Sequence, residues 1–192
     1  MSPEKKAPEP ITARGERYDY VSLAIAGDEE LEMVMRLGVM PDLEKLAGWE
    51  FKGWNSTDMA YLIQSKKFKK GFYRDRAANK VLGYNVVVLQ NGLGEPWIER
   101  LKGSDAIRER FYEPYPVDIN EIDNRYPNAL MLHYGKPKNN FTLDPARLLR
   151  DYLVQVYPDN FDLYLGKAFN ALGFFRMFQG YFILEKNNRS LL

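Results

Sequence analysis

Three runs of aromatic and β-branched residues follow one another between positions 48 and 90, and each carries a glycine in its interior. They span residues 48–55, 66–75 and 81–90, with Gly53, Gly71 and Gly83 inside them. Each has the length and composition of a strand. An internal glycine in a strand marks a bulge, a sharp bend or a close approach of another backbone or ring. Successive strands of this kind curl a sheet toward closure, and closure removes the exposed edges that open sheets must protect. The chain is therefore expected to build a small barrel, whose interior is either packed or holds a ligand.

Strand alternation assigns the faces. Trp49, Phe51 and Gly53 share one side of the first run and form its candidate interior face. In the second run Phe68, Lys70, Phe72 and Arg74 share a side. If Phe68 and Phe72 face inward, Lys70 lies between them and faces inward too, where an ammonium needs a partner or a bound anion. A bulge at Gly71 would instead turn Lys70 to solvent, and this is the plainer of the two readings.

The rest of the chain extends the pattern. Residues 1–16 have the low hydrophobicity of a disordered tail. Residues 17–46 read as helices that flank or close the barrel: Asp28 is a candidate N-cap, and Leu31, Val34 and Met35 form an apolar stripe that ends at Gly38. A second short helix starts at Pro41. Residues 55–64 form a loop or partly helical connection, and residues 104–111 a short helix or irregular strand. Glu113-Pro114-Tyr115-Pro116 is extended, because each proline restricts its predecessor. Further strands are expected at 129–135, 150–157, 161–168 and 180–186, with a loop of exposed aromatics at 170–177 and a tail at 187–192. Seven to nine strands joined mostly by short turns, without βαβ alternation, give a mainly β protein with N-terminal helices: an antiparallel up-and-down barrel over residues 47–186.

Composition narrows the chemistry. The 192 residues carry no cysteine, one histidine and a formal charge of +1. Disulfides, thiol catalysis, Cys-based metal sites and a multi-His site within one chain are excluded. The near-neutral charge argues against nucleic acid, no apolar run is long enough for a membrane helix, and residues 1–10 lack a signal-peptide core. A cytoplasmic protein without cofactor or metal is expected, and a homodimer is left open. No nucleophile elbow, phosphate loop or dinucleotide fingerprint occurs. His133 reads as structural or solvated. Asp118, Glu121 and Asp123 read as a solvated acidic loop, since a calcium loop's spacing is missing.

Gly48-Trp49 and Gly53-Trp54 at the start, with Leu165-Gly166-Lys167 and Gly180-Tyr181-Phe182-Ile183-Leu184-Glu185 at the end, resemble the calycin group of lipocalins and fatty-acid-binding proteins. The stretch from Arg150-Asp151 to Leu184-Glu185 is similar to small uncharacterised bacterial lipocalin-like proteins. The doubled Trp, the missing disulfides and the long helical start depart from the lipocalin pattern. The resemblance implies a barrel with an interior for apolar ligands, and transfers no catalytic residue.

The candidate ligand-binding set is Trp49, Phe51, Phe68, Lys70, Phe72, Arg74, Tyr84, Val86, Gln155 and Tyr164, with Asn85, Gln90 and Lys167 as further polar candidates. Aromatics at 14% of the chain serve either a core or such a pocket. Arg150, Asp151 and Lys167 otherwise read as a surface ion-pair cluster. The expected function is binding of a small apolar or amphipathic ligand. The alternatives are acid–base isomerisation or cyclisation of an apolar substrate, which an interior Lys or carboxylate facing a Tyr would favour, and a solid interaction protein docking through residues 169–178 or its N-terminal helix.

Overall fold

A computed structural model describes residues 8–57, 65–137, 140 and 143–192. The chain is mainly β, with short N-terminal helices and a closed eight-stranded antiparallel up-and-down barrel of lipocalin-like topology. Strands β1 (Trp49–Asn55), β2 (Lys67–Asp75), β3 (Lys80–Val87), β6 (Arg108–Pro116), β7 (Leu130–His133), β8 (Leu149–Tyr157), β9 (Asn160–Leu172) and β10 (Phe175–Arg189) each pair with the next, and β10 returns to β1. A two-stranded ribbon, β4 (Leu101–Lys102) and β5 (Asp105–Ala106), interrupts the meander. The segment expected as a short helix or irregular strand is thus this ribbon followed by the start of β6.

The glycines of the strands are seats for aromatic rings. A Cβ on Gly53 would overlap the Phe68 ring, on Gly71 the Tyr84 ring, on Gly83 the Tyr112 ring and on Gly166 the Phe182 ring. Each ring lies across the bare backbone of the adjacent strand, which covers the glycine and lets the wall curve. Gly71 therefore marks a close approach rather than a bulge. The pairing of β2 with β3 runs through it without a register shift.

Two apolar clusters lie on opposite sides of the wall. Inside, Phe51, Phe72, Tyr112, Leu130, Leu132, Leu153, Tyr164 and Leu184 fill one end, which α3 (Leu43–Leu46) closes with Leu46. Outside, α1 (Tyr20–Ile25) and α2 (Asp28–Leu37) cover β8 to β10. Leu31, Val34 and Met35 pack there with Tyr152, Val154, Val156, Leu165 and Ile183. The apolar stripe of the main helix thus flanks the wall and closes neither end, while the short third helix supplies the plug.

Order extends beyond the expected limits of the barrel. Of the expected N-terminal tail, residues 8–16 are described: Ile11 bridges to Arg17, and the Tyr157 hydroxyl donates to the Pro10 carbonyl at 3.0 Å. Residues 1–7 and the connection at 58–64 lie outside the described residues. The expected loop at 170–177 is instead the far end of one long β9–β10 hairpin, and β10 runs into the expected tail because Asn188 and Arg189 pair with Glu50 and Trp49.

Close approach at a ring seat gives a direct test. Gly83→Ala should destabilise the fold by about 2 kcal/mol in urea unfolding, as overpacked cores do. Gly94→Ala, with nothing within 4 Å of the added Cβ, should shift stability by no more than about 0.5 kcal/mol.

Candidate functional site

The aromatic plug fills only part of the barrel. Toward the other end the walls enclose a cavity of about 450 Å³, lined by the C-terminal ends of β1 and β3, the first residues of β2, β6 and β8, and the 3-10 turn Pro145–Leu148. Phe68, Leu149, Ala168 and Phe182 supply apolar wall, whereas Lys70, Asn85, Arg110, Tyr134 and Asp151 also line it.

Lys70 occupies the inward register of β2, between Phe68 and Phe72, and is 2% exposed. Its ammonium has three protons and three oxygen acceptors. Nζ donates to the Tyr134 hydroxyl at 2.5 Å, to Asn85 Oδ1 at 3.2 Å and to Asp151 Oδ2 at 3.4 Å. Pairing brings them there: Asn85 lies opposite Lys70 on β3, and Asp151 opposite Leu132 on β8, whose β7 is followed directly by Tyr134. The Tyr134 hydroxyl in turn donates to Asp151 Oδ2 at 2.8 Å. Asp151 Oδ1 is buried and has no hydrogen-bond partner among the described residues. Four aromatic rings surround the cation, those of Tyr112, Phe182, Tyr134 and Phe68, with Nζ 4.8 to 5.5 Å from their centroids.

Burial governs the protonation of this group. Loss of hydration pushes Lys70 down to about 8, against the pull of Asp151 and with help from Arg110. The same burial raises Asp151, although Lys70 and the Tyr134 hydrogen bond oppose the shift. Tyr134 is held well above its ordinary value by burial and by the Asp151 charge. Burial thus works against both charges of the pair, and leaves the ammonium unusually ready to release its proton.

Arg110 reaches the cavity through a distortion. Between Gly83 and Asn85 the pairing of β3 with β6 shifts register, and Arg110 sits at φ +50°. A left-handed backbone is costly for a residue with a Cβ, by about 1 kcal/mol. Beside it Asn140 bridges the strand ends, donating to the carbonyls of Phe111 and Tyr134 at 2.7 Å each and accepting from the Phe111 N–H at 2.8 Å.

The candidate residues of the sequence divide among several places. Phe68, Lys70 and Gln90 line the cavity, and Val86 borders it from the outward register of β3 opposite Lys69. Phe51, Phe72 and Tyr164 lie inside the barrel but within the packed end. Gln155 has its inward register on β8 beside Tyr164, where its amide donates to the Tyr157 carbonyl at 2.7 Å, away from the cavity. Trp49 sits at the rim of the packed end under Lys186 and Arg189. Tyr84 faces outward over Gly71 and donates to the buried Glu50 at 2.7 Å, because residues flanking an inward Asn85 must face out. Arg74 is exposed and pairs with Glu44.

The trio read as a surface cluster is split by the wall. Asp151 is inside with Lys70. Arg150 and Lys167 are outside: the first lies 3.8 Å from Asp123, and the second holds Glu32 of α2 at 2.6 Å. The expected acidic loop is tied down likewise, since Asp123 also pairs with Arg176. His133 faces outward, with its Nδ1 accepting from the Gly135 N–H at 3.1 Å. Burial and the neighbouring Arg150 and Lys136 push it down to about 4. No group of three or more metal-ligating side chains occurs among the described residues.

The three most telling residues, Tyr134, Asp151 and Arg110, were not singled out by sequence reasoning as cavity residues. Alternation along β8 does carry a signal, because Leu149, Asp151 and Leu153 share a face. It is masked by the apolar outer face of Tyr152, Val154 and Val156, which the helices cover. Comparisons with protein-family models, with curated proteins and with solved structures return no match.

Two outcomes follow from the buried cluster. Lys70→Met leaves Asp151 without its cation and should cost about 3 kcal/mol at pH 7, whereas Lys70→Met/Asp151→Leu should return to within about 1 kcal/mol of the parent. In the parent, folding lowers the Lys70 pKa from 10.5 to about 8, so the unfolded chain binds more protons above pH 8. The Lys70 contribution therefore becomes more favourable as pH rises from there, and the double variant should lack this gain in denaturant titrations. Arg110→Gly should keep or raise stability by up to about 1 kcal/mol, because glycine accepts the positive φ.

Proposed function

We propose that this protein is a calycin-like binding barrel that holds one small amphipathic molecule in the cavity, with an oxygen-bearing group directed at Lys70, Tyr134 and Asp151. The observation that carries the reading is the buried cluster of Lys70, Tyr134 and Asp151 facing a cavity in which Phe68, Leu149, Ala168 and Phe182 stand among polar residues such as Asn55, Gln90 and Asn170. A cavity of about 450 Å³ falls in the range of small-molecule sites, which are mainly apolar with a few placed polar groups. An acceptor or carboxylate on the ligand would meet Lys70 and Arg110. A hydroxyl on the ligand would meet Asp151 Oδ1, the buried acceptor that has no partner. The candidate set of the sequence contributes Phe68 and Lys70 to this proposed site, with Val86 at its border.

A second reading has its own support. An interior lysine facing a tyrosine and a carboxylate, with its pKa displaced by burial, is the arrangement that favours acid–base chemistry on an apolar substrate.

Binding is tested by extracting the purified protein with organic solvent for mass spectrometry and by titrating it with an anilinonaphthalene sulfonate dye. A co-purified small molecule, or saturable one-to-one binding of the dye, is expected. Ala168→Phe, which fills the cavity from β9, should weaken the dye by about 10-fold or more while thermal unfolding stays cooperative. The absence of both an extracted molecule and saturable binding removes the proposal.

A further inference from the structure

We propose that Lys70 is a nucleophilic amine that forms a Schiff base with a small apolar aldehyde or ketone admitted to the cavity. This rests on the cavity being a ligand site, and it names the class of ligand. Three groups that imine formation requires stand together: an amine, an acid for the carbonyl oxygen and a base for the ammonium proton. They are Lys70 Nζ, the Tyr134 hydroxyl 2.5 Å away and Asp151, whose Oδ2 lies 3.4 Å from Nζ.

An exposed lysine is solvated and protonated at neutral pH. Here the amine is stripped of water among four rings and shares the site with the Arg110 charge, which favours loss of its proton. Asp151 is placed to receive that proton, and its Oδ1 is the acceptor without a partner.

The step balances within the cluster. The ammonium passes one proton to Asp151, and the neutral nitrogen adds to the carbonyl carbon as the carbon–oxygen π bond breaks. The carbonyl oxygen takes the Tyr134 proton, and the nitrogen returns one of its own to the phenolate, leaving a neutral carbinolamine. Asp151 then protonates the hydroxyl, the carbon–oxygen bond breaks, and water leaves. The product is a protonated imine facing the Asp151 carboxylate, with Tyr134 restored; no oxidant or reductant is consumed. An aromatic wall suits such a product, because a delocalised cation is stabilised by ring faces.

The experiment uses the full chain, with cinnamaldehyde and sodium cyanoborohydride at pH 7.5, followed by intact mass and peptide mapping. One reduced adduct at Lys70 is expected, formed on the order of 10-fold or more faster than at exposed Lys102, since the neutral fraction of an ordinary lysine is far smaller. Tyr134→Phe retains the Lys70–Asp151 pair and should slow the adduct by about 10-fold or more. Labelling of surface lysines with Lys70 unmodified overturns the inference. Cinnamyl alcohol, which has no carbonyl, separates the two claims by competition with the anilinonaphthalene dye. If the alcohol displaces the dye but the aldehyde leaves Lys70 unmodified, the amine chemistry falls and the binding reading stands. If neither compound engages the cavity while the dye still binds, the Schiff-base inference falls alone, and if the dye does not bind and no molecule is extracted, both fall.

Discussion

An ammonium group inside an aromatic barrel persists only if every proton finds an oxygen and a negative charge stands close by. Lys70 meets both conditions through residues from three other parts of the wall: Asn85 on β3, Asp151 on β8 and Tyr134 just beyond β7. Closure of the sheet creates that arrangement, since an open meander would leave β2 and β8 far apart. The interaction thus depends on the fold as much as the fold tolerates the interaction. A buried pair of this kind contributes little net stability against an apolar equivalent of similar shape, so its presence needs a reason other than holding the barrel together.

Stability has other sources. The outward faces of β8 to β10 are apolar and covered by α1 and α2, and the closed end of the interior is a chain of ring contacts running through Tyr164, Phe51, Phe72, Tyr112 and Tyr134. Along β8 to β10 the wall is therefore packed on both sides at the closed end and on its outer side at the other. This division lets the remaining interior go without packed side chains, because burial on the outer face of the same strands compensates for the missing core. Tyr134 is the last ring of that chain and the first polar group of the cavity. Tyr112, fixed on Gly83 and donating to the Gly71 carbonyl at 2.9 Å, gives the cluster a rigid backing.

How far the sequence discloses this depends on whether two faces of a strand differ. In β2 they do: Phe68, Lys70 and Phe72 alternate with Lys67, Lys69 and Gly71, so the inward register of Lys70 is legible once the phenylalanines are placed. The outward lysines are accounted for as well. Lys67 donates to the oxygens of Asn91, Gly92, Glu95 and Pro96, and Lys69 pairs with Glu99 at 2.6 Å. In β8 the faces do not differ, because the helices make the outer one apolar, and Asp151 reads as a surface charge. Tyr84 and Arg74 fail for simpler reasons. Aromatic content alone does not assign a face, and a cation at a strand end is free to fold back onto a helix such as α3. The helical stripe is legible in the sequence but its partner is not, since periodicity shows that a face is buried without showing against what.

Arg110 lies beyond the reach of such patterns, because its place depends on a register shift that only pairing with β3 reveals. A glycine would take the same backbone conformation at lower cost, and the chain has an arginine there. The side chain brings a permanent positive charge to a cavity that already holds a buried lysine, which opposes the protonation of Lys70 and supports the ionisation of Asp151. The first effect disfavours an ammonium that the barrel solvates with three oxygens, whereas the second steadies the carboxylate that faces it. For a site that must release a proton from Lys70, the second cation lowers the energy of the amine relative to the ammonium, and it holds Asp151 in its ionised form opposite. The strained arginine and the buried lysine are then two parts of one arrangement, and the local cost of the first is explained by the chemistry of the second.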